Sequence, residues 1–374
     1  MINMWTILML ILFILAFAGI LYLADRISKF YILKKLVKGK RKTGILVGVA
    51  IMAVLSAVIS RMWGPMNAIV CILHLLVFWI LSDVMFALIK KFRKKDFSRY
   101  YAGAAAIVFT VCYLGTGWYL AHHVWETKYQ IQSDKEVGTL RAAVFSDSHI
   151  GTTFHGDGFA KHMKTIEAQN PDIVLIVGDF VDDDTTKEDM IRCCQALGEM
   201  KTTYGVYYVF GNHDKGYYPP EYRGYNGDDL IKELEKNNVH VMQDDVELID
   251  DHFYIIGRAD KSEEYASGRK TMEELTKDLD SDKFSIVLDH QSQEYDAQEK
   301  AGVDLVLSGH THGGQLFPLM TVENLTHITP DDRVYGYEKR GDTNFIVTSG
   351  VSDWAIKFKT GCRSEYVMLE IEGK

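Results

Sequence analysis

The sequence predicts a chain in two parts, with four transmembrane helices followed by a two-sheet α/β sandwich. Three observations lead to this fold class. Four apolar stretches fill the first third of the chain, strand-like and helix-like segments alternate after residue 138, and the predicted strands repeatedly end in Asp, Asn or His. Such alternation is typical of βαβ units. The predicted organisation is a transmembrane region at 1–125, a linker at 126–138 and an α/β domain at 139–374.

Each apolar stretch is long enough to cross a bilayer as a helix. A hydrocarbon core of about 30 Å needs about 20 residues at a rise of about 1.5 Å each. We expect the first stretch to be a span rather than a cleaved signal peptide, because its apolar run is too long, basic residues follow rather than precede it, and further spans come after it. Within the third span, His74 and Asp83 are interpreted as packing residues. The four predicted spans are Trp5–Ala24, Thr43–Met62, Asn67–Ile89 and Tyr101–His122.

Charge is divided unevenly between the two parts. Residues 1–130 carry a net charge of +12 and the remainder carries −21. Eight basic residues follow the first span and six follow the third, whereas only Arg61 lies between the second and third. Because Lys and Arg concentrate in cytoplasmic loops, we expect both basic links to face the cytoplasm and the α/β domain to be extracytoplasmic, at the cell membrane. The strongly acidic domain should not attract nucleic acid.

The elements of the α/β domain are predicted from their hydrophobic patterns. Val239–Met242, Val246–Ile249 and Phe253–Ile256 are predicted to form a three-stranded meander that begins a second sheet. The other predicted strands are Thr139–Ser146, Ile173–Val177, Gly205–Phe210, Phe284–Leu288, Val303–Leu307, Asn344–Thr348 and Glu365–Ile371. The predicted helices are Gly158–Asn170, Lys187–Met200, Asp228–Lys236, Thr271–Leu279 and Ser292–Ala301.

Potential metal ligands follow the predicted strands. Asp179 comes directly after the apolar run 173–177, with Gly178 leaving space for a metal or phosphate at the carboxyl edge of the sheet. His310 and His312 stand two apart, so in an extended segment their side chains point to the same side. Carboxylates, imidazoles and an amide are ligands that divalent Mn, Fe or Zn accept, and the near absence of thiols argues against a structural zinc site. The other candidates are Asp147, His149, Asn212, His213 and His290.

These residues resemble the sequence blocks of the calcineurin-like metallophosphoesterases, and in particular a bacterial membrane-associated branch. The resemblance covers about residues 140–372. The blocks stand here as Asp147-Ser148-His149, Gly178-Asp179-Phe180-Val181-Asp182, Gly211-Asn212-His213-Asp214, Leu288-Asp289-His290 and Gly309-His310-Thr311-His312. Where many members have a proline soon after the fourth-block histidine, this chain has Gln291-Ser292-Gln293-Glu294, which puts the local turn in doubt.

The resemblance implies two divalent metal ions. One would be held by Asp147, His149, Asp179 and His312. Asp179 would bridge to the second ion, which Asn212, His290 and His310 complete. His213 would be the acid or phosphate-contacting residue, oriented by Asp214.

The implied function is hydrolysis of phosphodiester or pyrophosphate bonds, in lipid-linked or envelope substrates, by a metal-bridging hydroxide with His213 as acid. Two alternatives stay open: a phosphomonoesterase or nucleotide hydrolase of the same family, and a membrane sensor that binds a phospho-ligand without turnover. The sequence also leaves open whether His155 and the aromatic segment Lys215–Gly227 contact substrate. It leaves open whether Cys362 pairs with Cys193 or Cys194.

The predicted topology can be tested with reporter fusions. Alkaline phosphatase, which is active only outside the cytoplasm, should be active when fused after Lys374 and silent when fused after Lys40. The reason is that Lys and Arg keep both basic links in the cytoplasm, which places the α/β domain outside. The measurement is phosphatase activity per amount of fusion protein. The reverse pattern would place the α/β domain in the cytoplasm.

Overall fold

The structure, a computed structural model, describes residues 4–264, 268–326 and 329–374. The chain divides into two compact units. The first runs to Trp118 and includes Ala355–Lys357, and the second contains Tyr119–Trp354 and Phe358–Lys374.

Long apolar helices make up the first unit. Within the described part of the chain, four helices are long and apolar enough to cross a membrane. Their bounds enclose or match the four predicted spans. Large apolar side chains such as Phe13, Phe17 and Val111 are exposed, as expected of surfaces that face lipid. The helices are α1 (Met4–Ile27), α2 (Tyr31–Leu36), α3 (Arg41–Trp63), α4 (Pro65–Arg93) and α5 (Tyr101–His122), of which α2 is the short one.

Asp83 in α4 is neutralised within this unit. Its carboxylate lies 2.8 Å from Nε of Arg26 and accepts hydrogen bonds from the hydroxyls of Tyr22 (2.9 Å) and Tyr100 (2.7 Å). Because an unpaired charge within an apolar helix is costly, these partners explain how α4 carries an acid. This arrangement fits the interpretation of Asp83 as a packing residue.

The second unit contains two six-stranded sheets, in the order β1-β12-β2-β3-β4-β5 and β10-β11-β9-β8-β7-β6. The strands are β1 (Trp125–Gln132), β2 (Thr139–Phe145), β3 (Ile173–Val177), β4 (Val206–Val209), β5 (Val239–Met242), β6 (Asp245–Ile249), β7 (Phe253–Gly257), β8 (Phe284–Leu288), β9 (Leu305–Ser308), β10 (Gly336–Arg340), β11 (Thr343–Val347) and β12 (Glu365–Glu372). The helices are α6 (Gly156–Glu167), α7 (Lys187–Gly198), α8 (Gly227–Lys236), α9 (Met272–Thr276), α10 (Tyr295–Lys300) and α11 (Leu319–Thr326).

Strand β3 shows why the sequence has a continuous apolar run there. Leu175 and Val177 pack in the core between the two sheets, whereas Val174 and Ile176 pack against α6, α7 and α8 on the outer face. Successive side chains of a strand point to opposite faces, so a strand covered on both faces needs apolar residues at every position. The fold is therefore the α/β sandwich that the sequence predicts.

The predicted three-stranded meander is wrong in one strand. Strand β5 pairs in parallel with β4 at the edge of the first sheet, and only β6 and β7 form an antiparallel hairpin in the second sheet. Helix α8 connects β4 to β5, so this segment is one more βαβ crossover. The short turn after β5 resembles a hairpin in sequence, but the chain changes sheets there.

Residues 126–138, expected to be a polar linker, begin with a strand. Strand β1 pairs in parallel with β12 from Trp125–Glu365 to Gln132–Glu372. Its polar composition comes from its place at the edge of the sheet, where one face stays largely accessible. Its partner strand comes from the C-terminal end of the chain, so the local pattern does not show the pairing.

Candidate metal centre

The candidate ligands follow strands that are neighbours in the two sheets. In the first sheet, β2, β3 and β4 run parallel, and in the second β8 and β9 do so. Their carboxyl ends therefore bring together the residues that follow them. Asp147 and His149 follow β2, Asp179 follows β3, Asn212 and His213 follow β4, His290 follows β8, and His310 and His312 follow β9.

The turns that carry these ligands have unusual backbone conformations. Asp147, His149, Asp179, His310 and His312 all have positive φ angles, between 36° and 70°. Residues other than glycine adopt this region at an energetic cost, and such strain is concentrated at functional sites. Five of the candidate ligands are therefore held in backbone conformations that cost energy.

Glycines permit the close approach of these turns. At Gly178, which has φ 76°, an added Cβ would lie 2.5 Å from Nδ1 of His290. At Gly309 it would lie 2.5 Å from Oδ2 of Asp147. Any larger residue at either position would push a candidate ligand away.

The structure gathers the ligands into two groups. Asp147, His149 and His312 form one group, and Asp179, His290 and His310 form the other; within each group the ligand atoms lie within 4.8 Å of one another. Asp179 links the groups, because its Oδ2 is 3.1 Å from Nε2 of His290 and 3.5 Å from Nε2 of His149. Burial opposes its charge, but the neighbouring His290 and His149 rings hold the pKa of Asp179 well below its usual range.

Buried polar atoms at this site lack protein partners. In the described part of the chain, Nδ1 of His310, Nδ1 of His312 and Oδ1 of Asn212 are buried and accept or donate no hydrogen bond. Buried polar atoms are nearly always satisfied, so several such atoms beside clustered carboxylates indicate an ion. Nitrogen and oxygen donors of this kind fit two divalent transition-metal ions.

Neighbouring groups orient individual ligands. Nδ1 of His290 lies 2.8 Å from the carbonyl oxygen of Val177, and donation to that oxygen leaves Nε2 free to bind a metal. Nδ1 of His149 lies 3.3 Å from the carboxylate of Asp182. Sequence reasoning quoted Asp182 but gave it no role. Its position three residues after Asp179, in the same block, is the signal that could have indicated one.

Asp214, which the resemblance implies would orient His213, binds backbone amides with its carboxylate. Its buried carboxylate accepts hydrogen bonds from the backbone N–H groups of Asp179 (2.9 Å), Val181 (2.9 Å) and Gly211 (2.7 Å). Burial and the nearby charge of Asp179 raise the pKa of Asp214 to about 7. Asp214 therefore fixes the turn that carries Asp179, because three amides converge on one carboxyl group.

His213 lies beside the ligand groups between two aromatic side chains. Its ring centroid is 5.0 Å from that of His149, 5.0 Å from that of Tyr217 and 5.2 Å from that of Trp354. Burial lowers the pKa of His213 to about 4, so the neutral ring offers one N–H donor near pH 7. Sequence reasoning missed Trp354, which lies far from every motif in the chain.

The segment Lys215–Gly227 contributes Tyr217 to the site, but its arginine has a different role. Asn212 donates from Nδ2 to the hydroxyl of Tyr217 (2.7 Å), which leaves the amide oxygen of Asn212 for a metal. Arg223 is buried and donates to the backbone carbonyls of Asp182 and Asp214. The donors of Arg223 therefore hold the segment together, which is the ordered-loop alternative for this arginine.

Two other open questions are answered by the contacts. Nδ1 of His155 lies 2.8 Å from Oδ2 of Asp189, at the start of α7, so His155 has a structural partner there. Cys193, Cys194 and Cys362 are free thiols. Cys193 and Cys194 pack in the apolar core, and Sγ of Cys362 is 3.2 Å from the carbonyl oxygen of His312.

A buried ionic network holds the turn after His290, which departs from the family pattern. Arg258 contacts the carboxylates of both Asp289 (2.8 Å) and Glu294 (3.0 Å). Arg269 also contacts both carboxylates, that of Asp289 at 2.6 Å and that of Glu294 at 3.1 Å. The two arginines therefore fix the turn that carries His290, without a proline.

Lys359 supports the other side of the centre. Its fully buried ammonium group donates to the carbonyls of Ser349 (2.7 Å) and Ser352 (3.0 Å) and lies 3.4 Å from the carboxylate of Asp353. The N–H of Ser352 in turn donates to the carbonyl of Asp147. No motif in the sequence indicated this lysine, because its partners are mostly backbone atoms.

Comparisons with known proteins agree with this geometry. Residues 140–314 match the family profile described as calcineurin-like phosphoesterase. An uncharacterised metallophosphoesterase from Campylobacter jejuni is 32% identical over 239 residues, which cover 63% of this chain and 60% of that protein. A transmembrane protein with metallophosphoesterase domain from Bos taurus is 26% identical over 247 residues, covering 63% of this chain and 54% of that protein. The chain therefore spans 60% or less of the length of these two relatives.

Among solved structures, a dimetal phosphatase from Danio rerio aligns over 58% of this chain and 88% of that chain, with 10% identity and a TM-score of 0.34.

The position of Asp179 between the two groups gives a prediction about metal content. The substitution Asp179→Asn should lower bound metal more than Asp147→Asn, because the Asp179 carboxylate lies beside imidazole nitrogens of both groups. The measurement is metal per chain by plasma mass spectrometry after purification with Mn²⁺. Asp250→Asn, in the exposed turn of the β6–β7 hairpin, is a matched control and should keep the wild-type content. Two retained ions per chain in the Asp179 variant would show that the carboxylate does not bridge.

Proposed function

Because the chain carries a calcineurin-like metallophosphoesterase domain, we propose that it hydrolyses phosphodiester or pyrophosphate bonds in lipid-linked or envelope substrates. The observation that carries this proposal is the pair of ligand groups joined at Asp179, with His213 beside them. The chain is a metal-dependent phosphoesterase by family, and the candidate centre has donors for two ions. The substrate class is the part that we add.

Each side chain has a separate role in this proposal. Two divalent ions, when bound, supply Lewis acidity that activates water and offsets the charge of the phosphoryl group. Asp147, His149 and His312 would hold one ion, and Asp179 would be shared with the other. Asn212, His290 and His310 would complete the second site.

His213 acts on the substrate rather than on a metal. Its ring is held by Tyr217 and Trp354, and its backbone N–H donates to Oδ1 of Asp179 at 2.9 Å. An imidazole N–H in this position donates to a phosphoryl oxygen or to the leaving alkoxide. Asp214 supports this chemistry indirectly, by fixing the turn of Asp179.

An apolar surface beside the ligand turn supports a lipid-linked substrate. Helix α11 begins a few residues after His312, and its Leu319, Val322 and Leu325 are all exposed at a spacing of three, which places them on one face. The backbone of Met320 approaches within 2.8 Å of a Cβ built on Gly314, so the helix packs closely on the ligand turn. A row of exposed apolar side chains on a water-accessible domain indicates contact with an apolar ligand or a bilayer.

A nucleotide substrate is favoured by a different observation. Tyr217 is 62% exposed and Trp354 is 50% exposed, and they flank His213. Exposed aromatic rings on both sides of a phosphate-handling residue can stack on a base. The second candidate function is therefore hydrolysis of a nucleotide or nucleotide sugar at the same centre.

A substrate panel separates these two candidates. The purified full chain with Mn²⁺ should hydrolyse a long-chain polyprenyl pyrophosphate with higher kcat/KM than a short-chain analogue or a nucleotide sugar. The triple variant Leu319→Ser, Val322→Ser, Leu325→Ser should lose this chain-length preference and keep its activity on bis-p-nitrophenyl phosphate. The control Val246→Ser, Leu248→Ser removes exposed apolar side chains from β6 and should change neither rate. Preference for the nucleotide sugar would select the second candidate.

The role of His213 is testable through the leaving group. His213→Asn should keep the metal content and slow the chemical step by roughly 10²–10⁴ if the ring protonates the leaving oxygen. The loss should be smaller for a p-nitrophenyl ester than for an alkyl ester, because nitrophenolate needs little protonation. The measurement is single-turnover rate for the two esters. Equal losses would assign His213 to phosphate binding instead.

A further inference from the structure

The two basic links of the first unit meet around one cavity. The cavity has a volume of about 580 Å³ and is lined by residues of both links. Lys29, Lys34, Lys40 and Arg41 come from the link after α1, and Arg99 comes from the link after α4. All of these residues belong to the first unit. The catalytic proposal uses none of them.

The cavity carries an excess of positive charge. No Asp or Glu is among its described lining residues. Asp25 lies nearby and pairs with Arg41 (2.9 Å) and Lys29 (3.5 Å). Within the described ranges, Lys34, Lys40 and Arg99 form no ion pair. Several unpaired cations around one concave space attract an anion with more than one charged oxygen.

Helix α3 adds backbone donors to the same space. The helix begins at Arg41, and the capping residue Lys40 provides no side-chain hydrogen bond to its first turn. Both residues line the cavity, together with Gly39. The first N–H groups of a helix have no partner within the helix and, with the helix dipole, favour a phosphate oxygen.

The residues around the cavity indicate that it lies at the depth of the lipid headgroups. The short helix α2 exposes Ile32 (81%) and Leu36 (72%) and also carries the basic residues Lys34 and Lys35. Its first residue, Tyr31, lines the cavity and is exposed. Apolar, aromatic and basic side chains on one short helix are typical of a segment that lies in the membrane interface.

We propose that this cavity binds the phosphate group of an anionic phospholipid. The basic residues and the first turn of α3 contact the headgroup, and the exposed apolar side chains of α2 lie against the acyl region. A free phosphate ion shares the headgroup chemistry but gains nothing from Ile32 and Leu36. The inference does not depend on the substrate proposed above.

The test is retention of lipid by the full chain. The protein is released from mixed micelles of dioleoylphosphatidylglycerol and dioleoylphosphatidylcholine and analysed by native mass spectrometry, with EDTA present so that the metal centre retains no phosphate ester. The wild type should keep the anionic lipid selectively. The variant Lys34→Gln, Lys40→Gln, Arg99→Gln should retain it at least about tenfold less, since each basic residue near an anionic headgroup contributes about a fivefold factor in affinity.

A matched variant removes the same charge from the first link without touching the cavity. Lys35, Lys38 and Lys42 do not line it, so their replacement by Gln should leave retention close to wild type. Equal losses in the two triple variants would overturn the proposal, because they would show diffuse attraction to the link. Arg99→Gln alone, outside every helix, provides the same comparison if the triple variant fails to fold.

The source of the phosphate is decided by competition. Excess inorganic phosphate should not displace the anionic lipid from the wild type. Complete displacement would assign the cavity to a free anion and overturn the lipid proposal. Retention of phosphatidylcholine as strongly as phosphatidylglycerol would likewise overturn it, because the basic residues would then have no effect on lipid choice.

Discussion

A single buried carboxylate, Asp179, is the constraint on which the rest of the second unit depends. It contacts histidines of both ligand groups, and its turn is fixed by the three backbone N–H groups that donate to Asp214. A charge in the interior is tolerated only when it is paired or coordinated. The histidines around Asp179, and the ions that fit among them, supply this compensation. The strained turns and the glycines at 178 and 309 are what allow the compensating groups to come close enough.

The centre also depends on the core between the two sheets. The group that contains Asp179 takes this residue from the first sheet and His290 and His310 from the second. The spacing of these ligands is therefore set by side chains such as Val177 and Leu288, which pack between the sheets directly before the ligand turns. Because a packed core resists compression and expansion, the two sheets hold their ligands at a fixed separation. The buried pairs around Asp289 and Lys359 then fix the outer sides of the turns.

The two units of the chain differ in the sign of their net charge. The first unit is basic and concentrates its cations in two links, whereas the second is acidic and concentrates buried carboxylates and imidazoles at the carboxyl ends of strands from both sheets. Each unit has groups that can interact with phosphate, but the groups are of different kinds. We propose that the cations and helix N-terminus of the first unit bind an intact phosphate group, and that the metal ligands and His213 of the second unit act in phosphoester cleavage.

The sequence by itself determined the α/β fold class and the four apolar helices, and it predicted the candidate ligands. Apolar runs and motif spacing are local properties, so β3, β5 and β8 have the bounds that were predicted, and six of the residues chosen after the strands lie in the two groups that the structure gathers. Only the tertiary structure decided the sheet of β5, the pairing of β1 with β12, and the roles of Asp214, Trp354 and Lys359. Each of these depends on a partner far away in the chain or on a backbone atom, and neither leaves a pattern in the amino-acid sequence.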